Sequence, residues 1–140
     1  MKLSTRCEYG VRAMVWIAQG YSKGAVRKKD ILENDPIPES YLENLLTTLR
    51  TCGFLHTKRG VGGGYALTRP PSQITMLQIV EALDGALVPR ECVLNHAICD
   101  RSESCFLRES WNSMYAAVQK TLGGITLQDL VKKSGAGKQG

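Results

Sequence analysis

The stretch Phe54 to Pro70, FLHTKRGVGGGYALTRP, places glycines at 60, 62, 63 and 64 between two short segments rich in β-forming residues. A helix cannot run through such a tip, because each glycine gives up the most backbone freedom on ordering and packs nothing in return. The two segments must instead turn back on one another as a hairpin, and Pro70 and Pro71 stop the returning strand. Lys58 and Arg59 put positive charge beside a tip able to adopt positive backbone dihedrals and approach another surface closely. A phosphate-cradling nucleotide loop is excluded, since no Gly-Lys-Ser/Thr follows and no helix opens after the glycines.

Helical patterns flank this wing. Val11, Met14, Val15 and Ala18 recur at i, i+3, i+4 and i+7, so a first helix is expected over Tyr9 to Gln19, ended by Gly20. A shorter segment, VRKKDILEN, precedes the helix-breaking DPIP, and Leu42, Leu45, Leu46 and Leu49 then mark a further helix closed near Gly53. Helix, short turn and helix followed by a hairpin is the order of a winged helix-turn-helix. Beyond Ser72, Met76, Val80, Leu83 and Leu87 return to helical spacing, and Gly85 and Pro89 close that segment. Leu107, Trp111, Met114 and Val118 alternate steps of four and three, a coiled-coil-like seam. One such stripe must fold back on its own domain or pair with a second chain, and a homodimer is expected, since readers of this shape usually contact two half-sites. GGITLQDLVKK adds a short cap, and residues 131–140 are expected to be a disordered tail.

At 140 residues and 43% apolar content the chain suits one small domain and a long helix, mainly α with a small β wing. Its opening lacks the apolar run of a signal peptide or membrane span, so a cytoplasmic location is expected. There thiols stay reduced, and an odd set of cysteines at 7, 52, 92, 99 and 105 reads poorly as a disulfide framework. Residues 1–70 carry eleven Lys/Arg against six Asp/Glu, whereas residues 71–140 carry seven of each. Excess positive charge confined to one half fits a nucleic-acid-binding module joined to something with another task. With histidines only at 56 and 96 and no convergent nucleophile, base and oxyanion site, an enzyme is not expected.

The segment PESYLENLLTTLRTCGFLHTKRGVGGGYALTRP, residues 38–70, resembles the recognition helix and wing of the Rrf-two family of bacterial winged-helix transcriptional regulators, the group of IscR, NsrR and RirA type. The opening MKLSTRCEYGVRAM is similar to that family's first helix, and the resemblance extends over roughly residues 1–130. It implies a winged helix-turn-helix core over 1–71, a connecting helix over 72–90, a cysteine loop over 91–106, and a dimerisation helix with its cap over 107–130. By the same resemblance, Ser40, Tyr41, Glu43 and Asn44 start the recognition helix and face double-stranded operator DNA in the major groove, and Arg59 enters the minor groove. Lys28, Lys29, Arg50 and Lys58 are candidate phosphate neighbours because they are basic and close in the chain. Glu43 repels phosphate unless it accepts from a cytosine amino group, so it is expected to set specificity more than affinity.

Cys92, Cys99 and Cys105 have six and five residues between them, without the close C-x-x-C pairs of a zinc site. Three soft thiolates in a wide loop suit an iron-sulfur cluster, 2Fe-2S or 4Fe-4S, which conventionally asks for four ligands. The family resemblance implies two places for the fourth. One type carries a histidine three residues after the last cysteine, where this chain has Arg108, which cannot coordinate iron. The other contributes a carboxylate from the partner subunit's first helix, where this chain has Glu8. Glu8 is therefore the expected ligand, with Cys7 and His96 as alternatives; Cys7 and Glu8 point about 100° apart on a helix, so only one of them can face the cluster. Such a regulator, expected to be a repressor, would sense redox state, nitric oxide or iron-sulfur status. The competing expectations are a thiol-switch or metabolite-responsive regulator of the same fold, and a small iron-sulfur electron or cluster carrier. Cys52, at the end of an amphipathic helix, is expected to be a small buried hydrophobe, and Trp111 and Tyr115 to serve packing.

Overall fold

The computed structural model describes residues 2–98 and 104–138, with side chains through Gly135. Among the described residues six α-helices, α1 (Thr5–Gln19), α2 (Lys28–Asn34), α3 (Glu39–Thr51), α4 (Met76–Asp84), α5 (Arg108–Gly123) and α6 (Leu127–Lys138), accompany a hairpin of β1 (Leu55–Lys58) and β2 (Gly64–Leu67). The winged helix-turn-helix order of the sequence is thus present, with the hairpin antiparallel and Leu55 opposite Leu67.

Helix α1 begins a turn earlier than its apolar spacing indicates, because Ser4 caps it. The Ser4 hydroxyl accepts from the Cys7 N–H at 3.0 Å and donates to Asp84 Oδ1 at 2.7 Å, while the Ser4 N–H reaches Asp84 Oδ2 at 2.9 Å. One serine therefore caps α1 and ties it to the last residue of α4. Helix α4 opens with a reciprocal pair, Gln78 N–H to Thr75 Oγ1 at 3.1 Å and Thr75 N–H to Gln78 Oε1 at 3.0 Å, and ends at Gly85 with φ +78. Leu87, expected on this helix, lies beyond it yet is buried.

Leu42, Leu45, Leu46 and Leu49 are wholly buried on one face of α3. Each such leucine removed from water stabilises the fold by about 2 kcal/mol. Most of them join Met14, Ile17, Ile31, Ile74, Ile79 and Leu127 in one core. That core corrects two expectations. The unit around the DNA-facing elements does not close at residue 71, since Ile79 of α4 and Leu127 of α6 are built into it. The segment expected as a cap and disordered tail is helix α6, running through residues 131–138. Leu127, Leu130 and Val131 give it a face packed in that core, and Ser134 Oγ accepts from Gln19 Nε2 at 2.9 Å. Paired backbone bonds, Met76 N–H to Ile125 O and Leu127 N–H to Ile74 O, both 2.8 Å, fasten the start of α6 beside that of α4.

The seam on α5 divides. Val118 and Leu122 turn inward against Cys7, Val80 and Leu87, whereas Met114 and Leu107 are 41% and 40% exposed and Phe106 is 90% exposed. The C-terminal half of the helix folds back on its own domain; the N-terminal half presents an open apolar stripe.

Candidate nucleic-acid interface and cysteine loop

Burial of the four leucines leaves Ser40, Tyr41, Glu43, Asn44, Thr47 and Arg50 exposed on the opposite side of α3. Tyr41 is steadied edge-on by Tyr9 of α1, ring centroids 5.7 Å apart. Lys28, a candidate phosphate neighbour from the sequence, is paired here with two carboxylates. Its Nζ lies 3.1 Å from Glu39 Oε1 and 2.5 Å from Glu43 Oε1, and the hydrogen bond to Glu43, then that to Glu39, raises its pKa above the ordinary lysine value. Lys28 and Glu43 thus neutralise each other at the start of the exposed face. Lys29 is exposed and 3.8 Å from Glu33, and Arg50 sits exposed in the last turn of α3.

The wing turn needs its glycines. Gly60, Gly62 and Gly64 have φ of +88, +76 and +143, and a Cβ on Gly63 would stand 2.5 Å from the Lys58 carbonyl oxygen. The hairpin is also held to the preceding loop: Val26 and Tyr65 exchange two backbone hydrogen bonds of 2.8 Å, a single antiparallel bridge beside β2. Lys58, Arg59 and Val61 project from this braced tip, all exposed.

Several residues of α1 that sequence reasoning passed over organise this face. The Asp35 carboxylate, buried in the turn before α3, accepts from Arg12 Nε at 3.0 and 3.2 Å and from Trp16 Nε1 at 3.0 Å. Arg12 Nη1 also lies 4.0 Å from Glu8, whose side chain is 66% exposed. Arg6 donates to Asn44 and Thr48 on α3 and to the Leu83 carbonyl on α4. The i,i+4 placing of Glu8 and Arg12 was visible in the sequence; the reach to Asp35 and Asn44 was not.

Cys92 lies in a one-turn 3₁₀ segment, Glu91–Val93, packed against α5, and Cys105 precedes α5, whose Arg108 N–H donates to its carbonyl at 3.2 Å. Both ends of the cysteine loop are therefore anchored at the same helix, with both thiols half-buried and free. Cys99 lies outside the described residues. His96 engages Arg108, 2.6 Å from Nη2 to Nδ1. The Arg108 guanidinium thus holds another candidate ligand. Among the described residues no three His, Cys, Asp or Glu side chains cluster closely enough to hold a metal ion.

The other cysteines separate sharply. Cys7 is 1% exposed, and burial first, then the Asp84 charge and hydrogen bond, push its thiol up to about 11. It faces its own core, against Val80 and Leu87. Cys52 corrects the expectation of burial: it ends α3 as the C-cap residue and is exposed, because Leu49 closes the buried face one turn earlier. Brief maleimide labelling at pH 8 is expected to modify Cys52 and leave Cys7 untouched, as peptide mass spectrometry would record. Equal labelling of both would contradict the burial of Cys7.

An amphipathic helix presented after a short turn, beside a braced basic hairpin, defines a winged helix-turn-helix DNA-binding protein. The sequence model of a family described as an iron-dependent transcriptional regulator matches residues 3–133, and the chain belongs to this family, Rrf2. Protein rrf2 of Nitratidesulfovibrio vulgaris is 35% identical over 132 residues, 94% of this chain and 88% of that protein. Among solved structures, CymR, the global cysteine regulator of B. subtilis, superposes with a TM-score of 0.79 at 32% identity, over 95% of this chain and 98% of that one. IscR of T. potens gives 0.73 at 33% identity, over 96% and 88%. The family is one of transcriptional regulators, not of enzymes. No helix among the described residues is long and apolar enough to cross a membrane.

Proposed function

We propose that the chain is a dimeric repressor of transcription in the cytoplasm whose operator binding is set by an iron-sulfur cluster held by Cys92, Cys99 and Cys105 with the partner's Glu8. The observation that carries this reading is the division between neighbours on α1: Cys7 is buried with a raised thiol pKa, while Glu8 is largely exposed and free to reach outward. Two half-buried thiols anchored at one helix supply soft donors that suit iron, and the family's description as iron-dependent favours a metal over a thiol pair. A bound cluster would supply chemistry sensitive to oxidants, nitric oxide and iron supply. The open apolar stripe at Leu107 and Met114 supports a second copy as the partner.

The residues themselves suggest the coupling. Arg12 stands between Glu8, at 4.0 Å, and Asp35, at 3.0 Å, and Asp35 fixes the turn leading into α3. A Glu8 carboxylate drawn to the partner leaves Arg12 wholly to Asp35; a returned one competes for the same guanidinium. Two arrangements of one ion-pair chain can thus bias where α3 sits.

Anaerobic purification with iron and sulfide counts and visible absorbance tests the reading. Cys92→Ser and Cys105→Ser are expected to abolish the absorbance, and Glu8→Ala to shift it and speed its decay in air by about 10-fold, a carboxylate being worth about 1.4 kcal/mol there. Cys7→Ser should leave it unchanged. An unaltered spectrum in Glu8→Ala sinks the fourth-ligand assignment. A wild type that takes up no iron on reconstitution, but loses two hydrogens between Cys92 and Cys105 under peroxide, favours a thiol switch instead; a solved structure of Staphylococcus aureus CymR in its oxidized form keeps that reading in view.

A further inference from the structure

Asn44, on the exposed face of α3, does not present a free carboxamide. Arg6 grips its Oδ1 from two nitrogens at once, Nη2 at 3.2 Å and Nε at 3.4 Å. A guanidinium has donors and no acceptor, so the carboxamide atom facing it is fixed as the oxygen. Arg6 is itself held on both sides. Its Nη2 donates to Thr48 Oγ1 at 3.0 Å, and its Nη1 donates to the Leu83 carbonyl at 3.1 Å, in the last turn of α4. The Thr48 hydroxyl spends its hydrogen on the Asn44 backbone carbonyl at 3.0 Å, leaving its lone pairs for Arg6. Each donor and acceptor in this set has one role.

We propose that Arg6 is a positioning residue that sets the hydrogen-bonding polarity of Asn44, turning it into a donor-only reader of DNA. The proposal rests on α3 being the helix that faces the groove. An unrestrained asparagine pairs with adenine through both halves of its amide, accepting from N6 and donating to N7. With Oδ1 occupied by the Arg6 fork, that pairing is lost and only the NH₂ group, on the other side of the same planar amide, remains for DNA. Its partner must then be an acceptor: guanine O6 or N7, thymine O4, or a backbone phosphate oxygen; adenine N7 also accepts, but the N6 amino donor beside it opposes the amide NH₂ where guanine offers O6 as a second acceptor.

Enrichment of duplexes from a randomised library by the purified full chain, followed by sequencing, tests this. Asn44→Ala keeps Arg6 on Thr48 and Leu83 and identifies the base position, if any, that Asn44 reads. The wild type is expected to favour guanine or thymine there, and Arg6→Met, with Asn44 released, to shift that preference to adenine. If Asn44→Ala weakens all duplexes about equally, 5-fold or more, with no position singled out, the acceptor is phosphate and Arg6→Met should also lower affinity without altering preference. Because Arg6→Met also unties α1 from α3, its melting temperature is measured alongside; Asn44→Ala carries the test if that variant does not fold. A wild-type preference for adenine at the position Asn44 reads, or wild-type affinity and preference in both variants, overturns the inference. No enrichment of any duplex by the wild type overturns the DNA-facing reading of α3 itself, a result distinct from either.

Discussion

Replacing Asp35 with alanine is expected to destabilise the fold by about 3 kcal/mol and lower the melting temperature by about 10 °C. The carboxylate is 6% exposed and accepts three hydrogen bonds, two from the Arg12 Nε and one from the Trp16 indole. Removing it strips both donors of their charged acceptor at a turn where Pro36 and Pro38 leave few other backbone partners. The Arg12 side chain is 49% exposed and can turn to water, which keeps the loss at the lower end for a broken buried pair. An asparagine side chain retains an acceptor of the same shape, so Asp35→Asn should cost about half as much. Urea unfolding of the three proteins checks the order; an alanine variant within about 0.5 kcal/mol of wild type would show that the turn holds without the carboxylate.

The second large effect falls on binding and not on stability. Gly64→Ala is expected to lower operator affinity by about 100-fold, roughly 2.7 kcal/mol, while moving the melting temperature little. Gly64 has φ +143, and a Cβ there would stand 2.5 Å from the Val26 carbonyl oxygen and 2.7 Å from its carbon. Both are backbone atoms that cannot step aside, so the pair of bonds between Val26 and Tyr65 must break and the hairpin tip must swing away with Lys58 and Arg59. The leucines Leu42, Leu46 and Leu49 stay buried, and the loss is confined to the edge of the core where Val26 and Tyr65 pack, so the fold is weakened less than binding. Withdrawing the wing's cations from phosphate also flattens the dependence of affinity on salt, by about one unit of slope per cation. Gly62→Ala provides the contrast: its φ is +76 but its Cβ meets nothing within 4 Å, so only local strain of about 1 kcal/mol is added and binding should fall several-fold at most. Equal losses in the two variants would mean that tip conformation, and not its bracing on Val26, governs binding.

Much of this architecture could be read along the chain. The leucine spacing of α3 predicts its buried face residue by residue, and the glycine tip predicts a hairpin, since both follow from periods and dihedrals that a segment carries within itself. Helix α6 is the instructive miss. Its Leu127, Leu130 and Val131 have helical spacing, but the glycines around them argue against a helix, and only docking on α1 supplies the burial that makes one favourable. Cys52 failed for the opposite reason, because proximity to an apolar face in sequence says nothing about which side of the last turn faces water.

The polar constellation was the least legible part. Spacing and charge single out Lys28, Glu43 and Asn44 only as independent side chains. Their partners lie 15 residues apart for Lys28 and Glu43, 23 for Arg12 and Asp35, and 38 for Arg6 and Asn44. What the sequence alone determined is helices α1 to α5, the wing, and the apolar faces of α1 and α3, since local sterics and periodicity act over a few residues. Which charges cancel, which amide is turned, and which of two adjacent α1 residues faces outward were decided by the tertiary structure. Hydrogen bonds demand matched atoms within about 3 Å, and only the packing of α1 and α2 against α3, α4 and the turn between α2 and α3 brings those atoms together.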